Sequence, residues 1–285
     1  MKGNERRFEV RCIACGGSSL ETAFQKHGFD IRRCRACGHG RTAGHDGFEP
    51  EHYYSEAYFQ GGHADAYADY SGSEEILRSE FRRTVQYLVR VGGRRRRLLE
   101  LGCAYGFLLE EARPYFETMR GIDISSDAVR VCRQKGLDAV AGVADEQTLD
   151  GTYDAVIGLD VIEHVPEPQE TLRLLAAHMP SGGLLLMTTG DWGAWSARLM
   201  GASWRLMTPP QHLSFFTKRS MTAMLDSAGF RVVSLTHPGK HVPFTLVAFQ
   251  LQRILGLKPR QIGFFRNVAL PVNLWDAMRV VALKR

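Results

Sequence analysis

A chain of 285 residues is long enough for one or two domains with a buried core, and its 44% hydrophobic and 24% charged residues are ordinary for a globular protein. The net charge is +5, with 29 arginines to 7 lysines, a bias read as overall composition rather than as a nucleic-acid footprint. Residues 1–7 lack the apolar core of a signal peptide and no run of about 18 apolar residues exists, so a cytoplasmic protein without a transmembrane segment is expected.

The first motif is a double one. Cys12-Ile13-Ala14-Cys15 and Cys34-Arg35-Ala36-Cys37 are two C-x-x-C pairs separated by 18 residues. Each pair can present two thiolates to one ion, and together they complete a tetrahedral Zn²⁺ shell. Gly16, Gly17 and Gly38 supply the tight turns such knuckles need. Four sulfurs leave no position for water, so zinc held by Cys12, Cys15, Cys34 and Cys37 is structural, and His39 is a bystander. Residues 1–45 are expected to form a zinc ribbon, whose metal supplies the folding energy that so short a segment lacks.

Residues 46–93 read as a tyrosine-rich linker and helical cap. Tyr53, Tyr54, Tyr58, Phe59, Tyr67 and Tyr70 show no clean period, which predicts short helices joined by loops. They form either a lid over a ligand or a packing surface for the ribbon. Ile76, Leu77, Phe81, Val85, Leu88 and Val89 then trace a helical stripe over 74–91, closed by Gly92-Gly93. The basic run Arg94 to Arg97 is read as a solvated turn.

From residue 98 the pattern becomes apolar strand, small-residue turn, helix. Gly102, Ala104 and Gly106 alternate through the turn, so the backbone there can bend sharply and approach a ligand. Asp123 ends the next apolar run, about the distance past a glycine turn at which an acid meets ribose hydroxyls. Glu100, two residues before Gly102, would repel a phosphate but hold an ammonium group. The unit therefore reads as a nucleoside site. Further on, the pattern predicts a helix over 107–116 and one capped by Ser125-Ser126-Asp127 that runs to Lys135. Strands are predicted over 139–143, 153–159 and 184–188. Alternating strands and helices imply an α/β fold with a parallel sheet and ligands at the strands' carboxyl ends. Asp145 either reaches an adenine amino group or begins the next turn.

Glu100-x-Gly102-x-Ala104-x-Gly106, Asp123, the strand at 153–156 and Asp160-Val161-Ile162-Glu163-His164-Val165 resemble successive motifs of the class I S-adenosylmethionine methyltransferases. Pro210-Gln211-His212-Leu213-Ser214-Phe215-Phe216-Thr217 and Leu225-Asp226-Ser227-Ala228-Gly229-Phe230 are similar to the branch holding the ubiquinone-pathway O-methyltransferases and many natural-product and saccharide methyltransferases. Residues 273–282 fit that family's last strand. The resemblance implies a Rossmann-like, seven-stranded mixed sheet over 94–285, with acceptor-side insertions at 190–212 and 238–272. It implies that Glu100, Gly102, Cys103, Ala104 and Gly106 hold the donor's methionine end. Asp123 with Ile124 would take the ribose, Asp145 the adenine, and Leu159 with Asp160 the methyl side.

Methyl transfer is an in-line displacement that needs alignment, and a base only where the acceptor is a hydroxyl or a carbon acid. His212 and His164 are the base candidates, with a structural role the alternative for His212. Asp160, Glu163 and His164 also resemble a magnesium motif of the ubiquinone-pathway relatives, with the shorter aspartate at its head; this metal is the minor reading. Trp192, Trp195 and Trp204, grouped with Phe215 and Phe216, are expected to wall the acceptor pocket, with core packing the alternative. Residues 244–257 read as an apolar-rich helix that covers the pocket, touches a membrane surface or joins two copies into a homodimer. The expected acceptor is a small molecule or glycan, not nucleic acid. The rivals are a zinc-ribbon ribosomal RNA methyltransferase and a non-catalytic S-adenosylmethionine-binding regulator or scaffold.

Overall fold

A computed structural model describes residues 11–44, 74–243, 252 and 269–285. The predicted short helices of 46–73 and the predicted helix of 244–257 lie outside the described residues, Gln252 excepted. Among the described residues no helix is long and apolar enough to cross a membrane.

The first strands among the described residues form a hairpin. β1 (Leu20–Lys26) and β2 (Phe29–Cys34) turn through His27-Gly28, both at positive φ, and β3 (Gly40–Thr42) pairs with β2. A fourth strand, β9 (Ser214–Phe215), joins this sheet from far along the chain, with Gly40 opposite Phe215 and Arg41 opposite Ser214. Only glycine fits at position 40, because a Cβ there would collide with the Trp192 ring. Cys12, Cys34 and Cys37 share one apolar cluster with Phe216, Met221, Met224 and Leu225, so the ribbon is built into the core rather than tethered to it.

The main sheet has seven strands: β4 (Arg97–Leu101), β5 (Thr118–Asp123), β6 (Ala139–Ala141), β7 (Ala155–Leu159), β8 (Leu184–Gly190), β10 (Phe230–Thr236) and β13 (Ala277–Lys284). Their order is β10-β13-β8-β7-β4-β5-β6, parallel except for β13, which runs antiparallel to both neighbours. The chain steps outward from β4 to β6 and then crosses back to β7, which opens a crevice at the carboxyl ends of β4 and β7. β7 reads as an unbroken apolar run and β8 opens with one, Leu184 to Met187, because both their faces are covered. The insertion after β10 begins and ends in a two-stranded pair, β11 (Lys240–Pro243) with β12 (Ala269–Val272).

Among the described residues six helices flank the sheet: α1 (Glu74–Val91), α2 (Phe107–Ala112), α3 (Ser126–Gln134), α4 (Pro168–Ala177), α5 (Trp195–Met200) and α6 (Lys218–Ser227). Local chemistry starts several of them. Ser125 caps α3 by accepting the Ala128 N–H, Thr217 and Ser220 form a capping box on α6, and Pro168 opens α4. Arg78 pairs with Glu74, Glu110 and Glu111, which ties α1 to α2.

Several predicted boundaries move. The helix expected over 107–116 ends at Ala112, because Pro114 has no N–H to continue the ladder; Arg113 is still helical at φ −48°, ψ −40° and donates its N–H to the Glu110 carbonyl. The third strand stops at Ala141, where Gly142 turns at φ 139°. The last strand starts at Ala277 rather than 273, since Trp275 adopts φ 57° and turns the chain just before it. Arg97 belongs to β4, and its guanidinium lies 4.6 Å from the Tyr153 ring centroid and bonds Asp150.

Candidate active site

The loop between β4 and α2 is held from several sides. Gly102 and Cys103 both donate their N–H to the Ile122 carbonyl, at 2.8 and 3.2 Å. Asp123 pins the loop by accepting the Ala104 N–H at 2.7 Å on one oxygen and the Ser125 N–H at 2.8 Å on the other. Cys132 Sγ donates to the Ala104 carbonyl and Lys135 Nζ to the Tyr105 carbonyl. The aspartate expected to take ribose is thus first a clamp on the turn, with lone pairs left over for a ligand.

The small residues of the turn serve packing as well as access. A Cβ on Gly102 would lie 2.5 Å from Val161 Cγ2, and one on Gly106 would collide with Leu137. Cys103 turns its thiol inward, into the cluster of Leu109, Val129 and Cys132, so only its backbone faces the crevice. Ala104 sits at φ 43°, a left-handed conformation that glycine adopts without steric cost. Ala104→Gly is therefore expected to raise stability by up to about 1 kcal/mol in thermal unfolding. A clear loss would show that the alanine methyl packs rather than strains.

Beneath the turn lies Glu100, 4% exposed, with its Oε2 lacking a partner among the described residues. Burial pushes its carboxyl well above the usual range, helped by the neighbouring Cys132 and Asp123. A buried carboxylate oxygen without a donor, under a glycine turn, fits a cationic ligand group. Asp145 starts a turn after β6, one oxygen accepting the Gln147 and Thr148 N–H groups. Ile124 and Leu159 are half-buried at the carboxyl ends of β5 and β7.

Across the crevice, Asp160 at φ 54° follows β7, and Thr188 Oγ1 donates to its carboxylate at 2.8 Å. His164 and His212 meet edge to face, with ring centroids 4.7 Å apart. Each turns Nδ1 to a backbone carbonyl, His164 to Gln211 at 3.0 Å and His212 to Leu206 at 2.6 Å. In His212 that contact places the hydrogen on Nδ1 and leaves Nε2 as the lone-pair nitrogen, whereas the His164 ring also faces the Asp160 backbone. Burial draws both rings down, His212 to about 3 with the adjacent His164 adding to the effect. Both are neutral near pH 7. Glu163, His164 and His212 bring ligand atoms within 4.8 Å of one another. Asp160, the expected head of a magnesium set, is not in that group, and two imidazoles suit magnesium poorly.

The aromatic wall does not form. Trp192 is 6% exposed and Trp204 1%, packed with Ile31 and Phe215 where the ribbon meets the core. Trp204 Nε1 donates to Asp276 at 2.8 Å, and Phe216 is buried against the His39 ring. Of Trp192, Trp195 and Trp204, Trp195 alone is exposed, at 67%.

The four ribbon cysteines converge as expected. All four sulfurs lie within 4.8 Å of one another, with Cys12 to Cys37 at 3.6 Å and Cys15 to Cys34 at 3.7 Å. These are free thiols, too far apart for disulfides. Tetrahedral Zn–S bonds place sulfurs about 3.8 Å apart, so the donor set and spacing fit one zinc ion. The ribbon also holds the His212 segment: Thr42 Oγ1 donates to the His212 carbonyl and Thr217 Oγ1 to the Cys37 carbonyl.

What the sequence did not reveal is the role of Thr42, Thr188, Asp191 and His237. Asp191 and His237 each stand one residue beyond a sheet strand, the position that marked Asp160. An acid or histidine just past a strand's carboxyl end was the available signal.

Comparison with known proteins agrees with this geometry. A family model described as a methyltransferase domain matches residues 73–235. A ubiquinone biosynthesis O-methyltransferase of Xanthomonas oryzae pv. oryzae is 33% identical over 103 residues, covering 33% of this chain and 42% of that protein. Its namesake in Xanthomonas axonopodis pv. citri is 28% identical over 152 residues, covering 48% of this chain and 63% of that protein. The chain thus spans about half the length of the curated relatives it matches. A magnesium protoporphyrin IX methyltransferase from Synechocystis, with bound SAH, superposes with a TM-score of 0.53 at 16% identity, covering 83% of this chain and 98% of that one. That likeness concerns the fold alone.

Proposed function

The chain belongs to the methyltransferase-domain family as an S-adenosylmethionine-dependent methyltransferase, and we propose that its acceptor is a small molecule or saccharide bearing a hydroxyl. The observation that carries this reading is the group at the carboxyl end of β7, where Asp160 is held by Thr188 and the His164 and His212 rings meet at 4.7 Å. The O-methyltransferase names of the relatives support an oxygen nucleophile.

When bound, S-adenosylmethionine supplies an electrophilic methyl group on a sulfonium. Glu100 would hold the ammonium of its methionine end, and the backbone of Gly102 to Gly106 would pack along it. Asp123 would accept from the ribose hydroxyls while keeping its grip on Ala104. Asp145 would lie toward adenine. His212 would orient the acceptor by hydrogen bonding at Nε2 with His164 packed against its ring, and Glu163, His164 and His212 together would suit a divalent ion that favours nitrogen ligands. Cys12, Cys15, Cys34 and Cys37 would hold a structural zinc that supports the His212 loop.

The test is transfer of label from [methyl-³H]S-adenosylmethionine. A protein-free small-molecule extract of the source cells and total RNA serve as separate acceptors. Label in the small-molecule fraction is expected. Label confined to RNA would overturn the acceptor class, and binding without any transfer would favour a regulator.

A further inference from the structure

We infer that Asp191 and His237 form an acid–base pair at the acceptor end of the sheet, with His237 taking the acceptor's proton; this rests on the methyltransferase reading above. Asp191 follows β8 and His237 follows β10. Both strands run in the same direction as β7, because β13 is antiparallel to β8 and to β10. The pair therefore lies on the carboxyl edge that carries the cofactor loop and Asp160. Thr188 contacts Asp160, and Asp191 is three residues further along, about 10 Å at the rise of a strand.

Asp191 is 1% exposed. Its backbone N–H donates to the Asp276 carbonyl at 2.8 Å, and its Oδ1 accepts the Gly193 N–H at 2.9 Å. Its Oδ2 lies 2.9 Å from His237 Nε2. A buried carboxylate is an acceptor, so the hydrogen of this contact resides on Nε2 and the lone pair on Nδ1. That nitrogen has no partner among the described residues. Among the described residues no lysine or arginine pairs with Asp191, and its ionisable partner there is the imidazole.

A purely structural pair would satisfy both ring nitrogens. This one fixes the ring, sets the tautomer and leaves one basic atom open, the logic by which a carboxylate prepares a histidine for proton transfer. The mouth of the site suits a flat or apolar body that carries the hydroxyl. Trp275, 55% exposed, lies 6.2 Å from the His237 ring, and Ser196 Oγ binds the Leu274 carbonyl, which brings exposed Trp195 to the same turn.

The step balances simply. As the acceptor oxygen bonds the methyl carbon, the carbon–sulfur bond breaks and its electron pair returns to sulfur, leaving a neutral thioether. The hydroxyl proton moves to His237 Nδ1, and the resulting imidazolium faces the Asp191 carboxylate until water removes the proton. The other charged groups on the packed elements are committed elsewhere. Asp276 binds Arg205 and Trp204, and the Arg279 guanidinium lies over the Tyr87 ring.

Two measurements test the pair in the full chain. The first is carbethoxylation by diethylpyrocarbonate with S-adenosylhomocysteine bound, read by mass spectrometry. His237 should be modified; an unreactive His237 would overturn the proposal, because a nitrogen closed to so small a reagent cannot accept the proton. The second compares kcat across pH for His237→Gln and Asp191→Asn. Glutamine keeps a donor for Asp191 but cannot take a proton. It should lower kcat about 10²–10⁴-fold, with unchanged Tm and S-adenosylmethionine affinity, and remove the acid limb of the profile. Asp191→Asn should shift that limb and lower kcat with little change in KM. A wild-type kcat and profile in His237→Gln would sink the proposal. If the wild type transfers no label at all, the acceptor reading fails, and the carbethoxylation result still judges the open nitrogen.

Discussion

Serine in place of Cys34 is expected to cost more than about 4 kcal/mol of stability and to abolish turnover at temperatures where S-adenosylmethionine still binds. Cys34 is fully buried and lies in the same apolar cluster as Phe216, Met221 and Met224, so an incomplete thiolate shell is felt in the core, not only in the ribbon. Damage should then spread along the contacts the ribbon makes. β3 pairs with β9, Thr42 bonds the carbonyl of His212, and Thr217 bonds the carbonyl of Cys37. All three hold residues 212–217, the stretch that presents His212 to the acceptor side. The cofactor loop is fixed separately, by Ile122, Asp123 and the helix carrying Cys132. Thermal unfolding, elemental analysis and calorimetry on the same sample decide the matter. Zinc-free protein that unfolds at the wild-type temperature and turns over normally would refute a structural metal.

How much of this was legible in the sequence depended on distance along the chain. The strand, turn and helix around Glu100 to Phe107 were readable because each feature is local: an apolar run, small residues that tolerate positive φ, then a helical stripe. The two C-x-x-C pairs were readable because hairpin geometry brings residues of such spacing together. Ser125 announced α3 by the same local chemistry. The aromatic residues were a different matter. Trp192, Trp204 and Phe215 have the same composition whether they line a pocket or seal an interface. Only the pairing of β3 with β9, some 170 residues apart, makes them an interface. Gly102 was assigned to cofactor clearance, yet its nearest obstacle is Val161 from the loop after β7. The meeting of His164 with His212, and of Asp191 with His237, likewise follows from strand order, which residue spacing does not encode.

Glu100→Gln should stabilise the free protein above neutral pH while weakening S-adenosylmethionine binding by about 10–150-fold, two effects of opposite sign from one atom exchange. Burial raises the Glu100 carboxyl well above its unfolded value, so the folded chain prefers the neutral acid. The stability owed to that neutral form is fully present below the unfolded pKa and is lost as pH rises through the folded one. Glutamine stays neutral throughout and escapes the loss. The cofactor reverses the balance, because an ammonium beside Oε2 gives the charged carboxylate the partner it lacks in the free protein. Binding to the wild type should therefore expel a proton and tighten as pH rises, and the glutamine variant should lose both the charge-assisted contact, about 1.5–3 kcal/mol, and the pH dependence. Calorimetry in two buffers of different ionisation enthalpy counts the proton directly. Equal affinities and equal proton release in the two proteins would remove Glu100 from the cofactor site and leave its buried oxygen to some other donor.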